Sequence, residues 1–188
     1  MRSLLVSAAV MVTTLISGCS LMPSTETVPV EETASLQEPT FSPYPFALKR
    51  SINVQRELKI QSGELAFSGQ AAFFADNRSV RLTVSQNGQT IWSIYYNGET
   101  IHEERSSEVP SQLQAKQLLR DFGLAYWPVQ AVQSQLKTWA IQTGSNSRLV
   151  TDQAGNPVLN VTYASDPAKA ADSSFILENL SAGYRLNF

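Results

Sequence analysis

The sequence predicts a mostly β domain with a helical insert, an α+β chain whose strands form an antiparallel sheet. Three observations carry this reading. Apolar and polar residues alternate with period two over most of residues 44–188. Tight-turn dipeptides, Asn87-Gly88 and Asn97-Gly98, separate successive runs, and two-residue turns of that kind join antiparallel neighbours. The apolar period changes to a helical one in a single stretch between two strand-like blocks. Alternating strands and helices, the mark of a parallel sheet, are missing from this order.

Each element follows from local chemistry. Leu58 and Ile60 close a first run, and Gly63 to Asp76 forms a second with Leu65, Phe67, Phe73 and Phe74, where Gly69 invites a bulge or bend. Val80, Leu82 and Val84 alternate with Arg81, Thr83 and Ser85, one dry face against one wet. Across the Asn87-Gly88 turn, Thr90 to Tyr96 places Trp92, Ile94 and Tyr96 on one face, and Glu99 to Arg105 follows. Ala115, Leu118, Leu119, Phe122 and Ala125 then recur at helical spacing, with Lys116, Arg120 and Asp121 on the other side. Pro110 or Ser111 can start this helix, and Tyr126-Trp127-Pro128 stops it, because the residue before Pro is steered from the α region. Pro128 suits the first position of a second short helix carrying Val129, Val132 and Leu136. Strands resume at about 139–143, 148–152, 157–163, 174–178 and 183–188, with turns at Gly144, Gly155-Asn156 and Asp166-Pro167.

Composition excludes several functions. Fourteen Lys and Arg against sixteen Asp and Glu leave no basic excess for tracking phosphates, so no nucleic-acid partner is expected. One His and one Cys supply neither a Cys/His zinc site nor an internal disulfide. No cofactor is expected.

The first residues form an address. Arg2 precedes an uncharged apolar run of 13 residues, Leu4 to Ile16, which ends in Ile16-Ser17-Gly18-Cys19. A spanning helix needs roughly 20 apolar residues, so residues 1–18 read as a signal peptide. The end of the run resembles the lipobox of bacterial lipoproteins, which implies diacylglycerol on the Cys19 thiol, cleavage after Gly18 and N-acylation. Ser20 stands where Asp would favour inner-membrane retention in that class. The resemblance therefore implies a lipid-anchored outer-membrane protein whose domain faces the periplasm. Residues 19–43 carry Ser, Thr, Pro and four Glu without apolar periodicity, which reads as the lipidated Cys followed by a disordered acidic tether. Arg2 and those four Glu lie before residue 44, so the chain's −2 becomes +1 for the domain, residues 44–188.

Three stretches support a closer resemblance. They are Thr90 to Gly98, the helix Leu118-Leu119-Arg120-Asp121-Phe122-Gly123-Leu124-Ala125-Tyr126-Trp127-Pro128, and Arg148 with Gly183-Tyr184-Arg185-Leu186. Together they resemble an uncharacterised family of small outer-membrane lipoproteins often encoded within aryl-polyene biosynthesis clusters of Gram-negative bacteria. That family more often reads Leu-Ala-Leu-Trp-Pro at the helix end, so Tyr126 is a small departure. The order of elements is also similar to LolA and LolB, the periplasmic carrier and outer-membrane receptor of lipoproteins. That likeness implies a strongly curved antiparallel sheet, an unclosed β-barrel, covered by two short helices.

The functional expectation follows from the resemblance and one packing argument. A sheet of about nine strands with one apolar face needs cover, and two short helices supply little of it. Leu65, Phe67, Leu82, Val84, Trp92, Ile94 and Tyr96 would floor a lipid-binding pocket, and Leu118, Leu119, Phe122 and Trp127 would close it. The alternative is that these side chains interdigitate as a solid core. Trp127-Pro128 reads as a hinge or a corner, and Tyr95, Tyr126 and Trp139 as headgroup holders or boundary aromatics. Arg78, Arg81 and Arg148 read as headgroup binders or as charges on wet strand faces. His102 lies beside Glu103 and Glu104, but neighbours on a strand point to opposite faces, so no dyad is expected. Asp152, Asp166 and Asp172 lack calcium-loop spacing. A non-enzymatic outer-membrane lipoprotein that binds or delivers an amphipathic lipid, aryl-polyene or acyl chain is the reading. An envelope assembly protein without a ligand cavity is the alternative.

Overall fold

A computed structural model describes Leu48 and residues 50–136, 139–165 and 173–188. All of them lie in the second of the chain's two units, Leu36–Phe188. The leader, Cys19, the tether, the Asp166-Pro167 turn and Asp172 fall outside the described residues.

The first block folds as β1 (Ile52–Ser62), β2 (Leu65–Ala75), β3 (Val80–Gln86), β4 (Gln89–Tyr96) and β5 (Ile101–Arg105). Two helices follow, α1 (Ala115–Tyr126) and α2 (Val129–Gln133). The second block is β6 (Ala140–Thr143), β7 (Ser147–Thr151), β8 (Pro157–Tyr163), β9 (Phe175–Asn179) and β10 (Tyr184–Asn187). The described residues form one antiparallel sheet of ten strands, in the order β5-β4-β3-β2-β1-β10-β9-β8-β7-β6. Two meanders therefore meet edge to edge where β1 pairs with β10, and the sheet stays unclosed.

This topology places the helices. The helical segment links β5 to β6, the two outermost strands, so it has to cross the sheet. Nine inter-strand steps of about 4.8 Å would separate those edges by about 43 Å in a flat sheet. Helix α1 nevertheless touches Phe73 on β2, Phe175 on β9, Arg148 on β7 and Tyr163 on β8. A single helix, about 10 Å across, reaches all four only if the sheet curves around it. Trp92, Ile94, Tyr96, Leu82, Val84 and Phe67 line the inner face, each at most 5% exposed.

Apart from the Asn97-Gly98 turn, which takes four residues, 97–100, so that β5 starts at Ile101 rather than Glu99, local details differ from expectation at four points. Gly69 causes no bulge, and β2 runs past it in unbroken register with β1. The glycine is needed because a Cβ there would lie 2.7 Å from Val84 Cγ1 and 3.0 Å from the Ser85 carbonyl oxygen. The bulge falls on β4 instead, where Val84 faces Trp92 and Ser85 faces Thr90, leaving Ile91 extra. Helix α1 begins at Ala115, later than Pro110 or Ser111, because Arg105 holds the Pro110 and Leu113 carbonyls in a turn ahead of it. Pro128 precedes α2 as its cap residue. Trp127 stops α1 in extended backbone (φ −72°, ψ 151°), as a following Pro requires. The Asn87-Gly88 turn has φ of 50° and 79°, the pairing that a tight hairpin demands.

The fourth difference concerns polarity. Arg120 and Asp121, expected on the wet side of α1, are 5% and 0% exposed. The helix is inserted into the hollow and covered nearly all round, so its polar side is buried too. Only Lys116 keeps the predicted exposure among those three.

Candidate functional site: the occupied hollow and a notch in its wall

Polar contacts fix α1 at both ends and in the middle. Ahead of it, Arg105 donates to the Pro110 and Leu113 carbonyls, stacks over Trp92 at 5.0 Å and pairs with Glu103 at 2.6 Å. Glu103 also accepts the Trp92 indole N–H at 2.8 Å. Behind it, Arg148 donates from one Nη to the Leu124 and Trp127 carbonyls at 2.8 and 2.7 Å, and Tyr163 donates its hydroxyl to Ala125 O at 2.6 Å. Those carbonyls belong to the helix end that carries partial negative charge, where a cation is favoured. Arg148 is 4% exposed, so it is neither a charge on a wet strand face nor an open headgroup binder. Its inward position on a short strand, opposite a helix end in need of donors, explains the difference.

In the middle, Asp121 accepts hydrogen bonds from Arg120 Nε at 2.9 Å, from Asn179 Nδ2 at 3.0 Å and from the Tyr184 hydroxyl. Burial pushes its carboxyl above the usual range, opposed first by the charge of Arg120 and then by these hydrogen bonds. Tyr184 is raised by the same burial and by the neighbouring carboxylate.

The hollow is largely occupied. Phe122 packs against Phe73 at 4.8 Å and Phe188 at 4.9 Å, and Tyr126 stacks on Phe73 at 5.1 Å and meets Phe175 edge-on at 5.3 Å. What remains at the N-terminal end of α1 is a cleft of about 90 Å³ lined by Ile60, Leu65, Trp92, Leu113 and Leu118 with Gln117 and Tyr184. Pockets that take drug-sized ligands run to about 300–1,000 Å³, so this cleft admits only the tip of a chain. Of the eleven sequence-predicted pocket residues, Leu65, Trp92 and Leu118 meet in this cleft. Phe67, Leu82, Val84, Ile94, Tyr96, Leu119, Phe122 and Trp127 lie in the buried core around α1.

A larger opening lies in the wall. Strand β1 has eleven residues, but β10 pairs only with Lys59, Ile60 and Gln61. The edge of β1 from Ile52 to Leu58 therefore has β2 on one side and no described strand on the other. The resulting notch, about 460 Å³, is lined by the outward residues Glu57, Lys59 and Ile176 and by the inward rings of Tyr163, Phe175 and Phe188. Lining from both faces is what a gap in a sheet produces. Val54 and Arg56 point inward on this stretch of β1 and stay half-exposed, where no described strand lies alongside. Sequence reasoning missed Arg56. Its signal was a cation in the apolar phase of the alternation Ile52, Val54, Arg56, Leu58, Ile60.

A family model described as a protein of unknown function (DUF3261) matches residues 53–188, which takes in all the described strands apart from the first residue of β1, both described helices and the notch. The chain belongs to this family. No curated protein matches it. The DUF3261 domain accordingly coincides with the curved sheet and its helix.

In this DUF3261 chain the other candidate residues are placed as follows. His102 is exposed and stacks on Tyr95 at 6.1 Å, while Glu103 turns to the other face toward Trp92 and Arg105. Arg78 and Arg81 are exposed, the latter over the Tyr95 ring at 5.5 Å. Trp139 is buried at the core boundary. Asp152 sits in a turn, where hydrogen bonds from Asn156 hold its carboxyl below the usual range. Among the described residues no group of three His, Cys, Asp or Glu could hold a metal, and no helix is long and apolar enough to cross a membrane.

Proposed function

We propose that this protein is a non-enzymatic, lipid-anchored protein of the bacterial outer membrane that binds, and helps deliver, a lipid-like amphipathic molecule at the periplasmic face. The observation that carries the reading is the aromatic-floored notch of about 460 Å³, a volume in the range of small-molecule sites. An acyl or polyene chain laid against Phe175 and Phe188 gains roughly 0.8 kcal/mol for each methylene removed from water. The Ile16-Ser17-Gly18-Cys19 box supports attachment through Cys19, and the lipobox resemblance with Ser20 supports the outer membrane. Resemblance to lipoproteins of aryl-polyene clusters favours an aryl-polyene lipid as the cargo, and the LolA/LolB-like order of elements favours lipoprotein acyl chains. Because α1 occupies the hollow, the chain lies in the notch rather than inside the barrel.

The filled hollow favours a second reading, an envelope assembly protein that holds partners and no ligand. Its outer strands weigh against partner capture by strand pairing. Strands β5 and β6 have five and four residues, and β5 carries His102, Glu103, Glu104 and Arg105, which blunts an edge. Native mass spectrometry of the intact lipoprotein released from membranes separates the two. The lipid reading expects a bound amphiphile that is lost in Ile176→Arg at the notch rim. A protein free of amphiphile, and unable to take one up from vesicles, supports the assembly reading instead.

A further inference from the structure

The outer wall of the first meander carries an ordered row of side chains. Register places Asn53, Phe74, Arg81, Tyr95 and His102 side by side across β1 to β5. Their chain neighbours Ile52, Phe73, Leu82 and Ile94 are buried, so the row faces away from α1. Arg81 lies over the Tyr95 ring at 5.5 Å, and His102 stacks on the same ring at 6.1 Å from the next strand. Phe74, opposite Arg81, is 37% exposed. The next row on this face runs through Ala72, Thr83 and Ser93, small and uncharged, which leaves the surface beside the rings shallow.

Charge is uneven along the row. Arg50, Arg78 and Arg81 are exposed at its β1–β3 end. The carboxylate there, Asp76, accepts the Arg78 and Ser79 amides, both at 2.8 Å, and is turned into its own loop. The exposed Glu99 and Glu104 belong to the β5 end. The chain that leads from Cys19 enters the sheet at Ile52, whose partner Ala75 is one position from Phe74. The basic, aromatic end of the row is therefore the end at which an anchored chain joins the domain. Aromatic rings and long cationic side chains are the groups that settle at the headgroup level of a bilayer, and cations are drawn to anionic lipid. We propose that the outer face around Phe74, Arg78, Arg81 and Tyr95 docks on the phospholipid headgroups of the membrane that holds the anchor. This rests on the lipid-anchor part of the reading above and adds to it which wall of the domain meets the bilayer.

The test couples Cys19, the one cysteine of the full chain, to a maleimide phospholipid, so the anchor is in place whether or not a cell acylates it. The vesicles contain phosphatidylcholine, phosphatidylglycerol and a diazirine-bearing phospholipid, and mass spectrometry reads the labelled peptides. Peptides of β2 to β4 are expected to carry about fivefold more label than those of β6 and β7, the factor contributed by one cation beside an anionic surface. Phe74→Ser combined with Arg81→Gln should bring them to the β6–β7 level. Arg78→Gln, in an exposed turn outside the strands, should lower the preference, and so should high salt. Equal labelling of the two meanders, a preference for the β9–β10 turn that carries the exposed Leu180, or a preference that survives the double variant overturns the proposal. A row free of label overturns it too, and a dimer of the coupled chain in that case assigns the face to a second copy. Fractionation of Cys19→Ser judges acylation separately, so failure of the anchor and failure of the face are told apart.

Discussion

Replacing Arg148 by Met removes the two hydrogen bonds that hold the end of α1 at Leu124 and Trp127. Each hydrogen bond from a charged donor contributes about 1.5–3 kcal/mol, and both carbonyls are left buried without that donor. Part of this is offset, because the substitution also removes a buried cation whose Nε has no acceptor. The balance is a loss of about 2–4 kcal/mol, or about 10 °C in melting temperature for a domain of this size. Urea unfolding of the Cys19→Ser chain measures the global change. Hydrogen exchange adds a local signature, since amides of Leu118–Tyr126 should lose protection before those of β1 and β2. A change below about 0.5 kcal/mol, with α1 protection intact, would mean that Arg148 does not anchor the helix.

Other expectations concern packing, charge and location. Gly69→Ala places a Cβ 2.7 Å from Val84 Cγ1 and should cost about 1–3 kcal/mol, much of it recovered in the double variant with Val84→Ala, which a double-mutant cycle reads. Phe122→Ala removes a ring with 0% exposure from contact with Phe73 and Phe188 and should cost about 3–5 kcal/mol in the same unfolding assay. The raised carboxyl of Asp121 gives a pH signature. The folded chain holds this proton more tightly than the unfolded chain, so the stability it contributes is full below the ordinary carboxyl value of 3.8 and is lost as pH rises through the folded value. The stability margin over Asp121→Asn should therefore shrink from low to higher pH, and a margin that grows would contradict the raised direction. Cys19→Ser should release the protein from the membrane fraction, and full retention would defeat the anchor.

What was legible in the sequence follows the range of the forces involved. The hairpin at Asn87-Gly88 was readable because positive φ is a property of those two residues alone. The stop at Trp127 was readable because Pro128 acts on its immediate neighbour. The buried polar partners were not, since Asp121 meets Asn179 and Tyr184 across 58 and 63 residues, and Arg148 meets Trp127 across 21. Amphipathic periodicity assigned Arg120 and Asp121 to water because it supposes a helix lying on a surface, whereas α1 lies inside a curve. The notch was hidden for a similar reason. It arises from the mismatch between an eleven-residue β1 and a four-residue β10, which matters only once the two are known to be neighbours. Arg56 alone left a mark, as a charge in the apolar phase of its strand.

On the lipid-binding proposal, an apolar chain lies in the gap between β1 and β9 while α1 stays seated. A crystal of the domain grown with a terminally brominated hexadecanoate tests this directly through the anomalous signal of the bromine. Bromine is expected against Phe175 and Phe188, with Arg148 still bonded to Leu124 and Trp127. Bromine inside a hollow vacated by α1, or no ordered bromine at all, would contradict it.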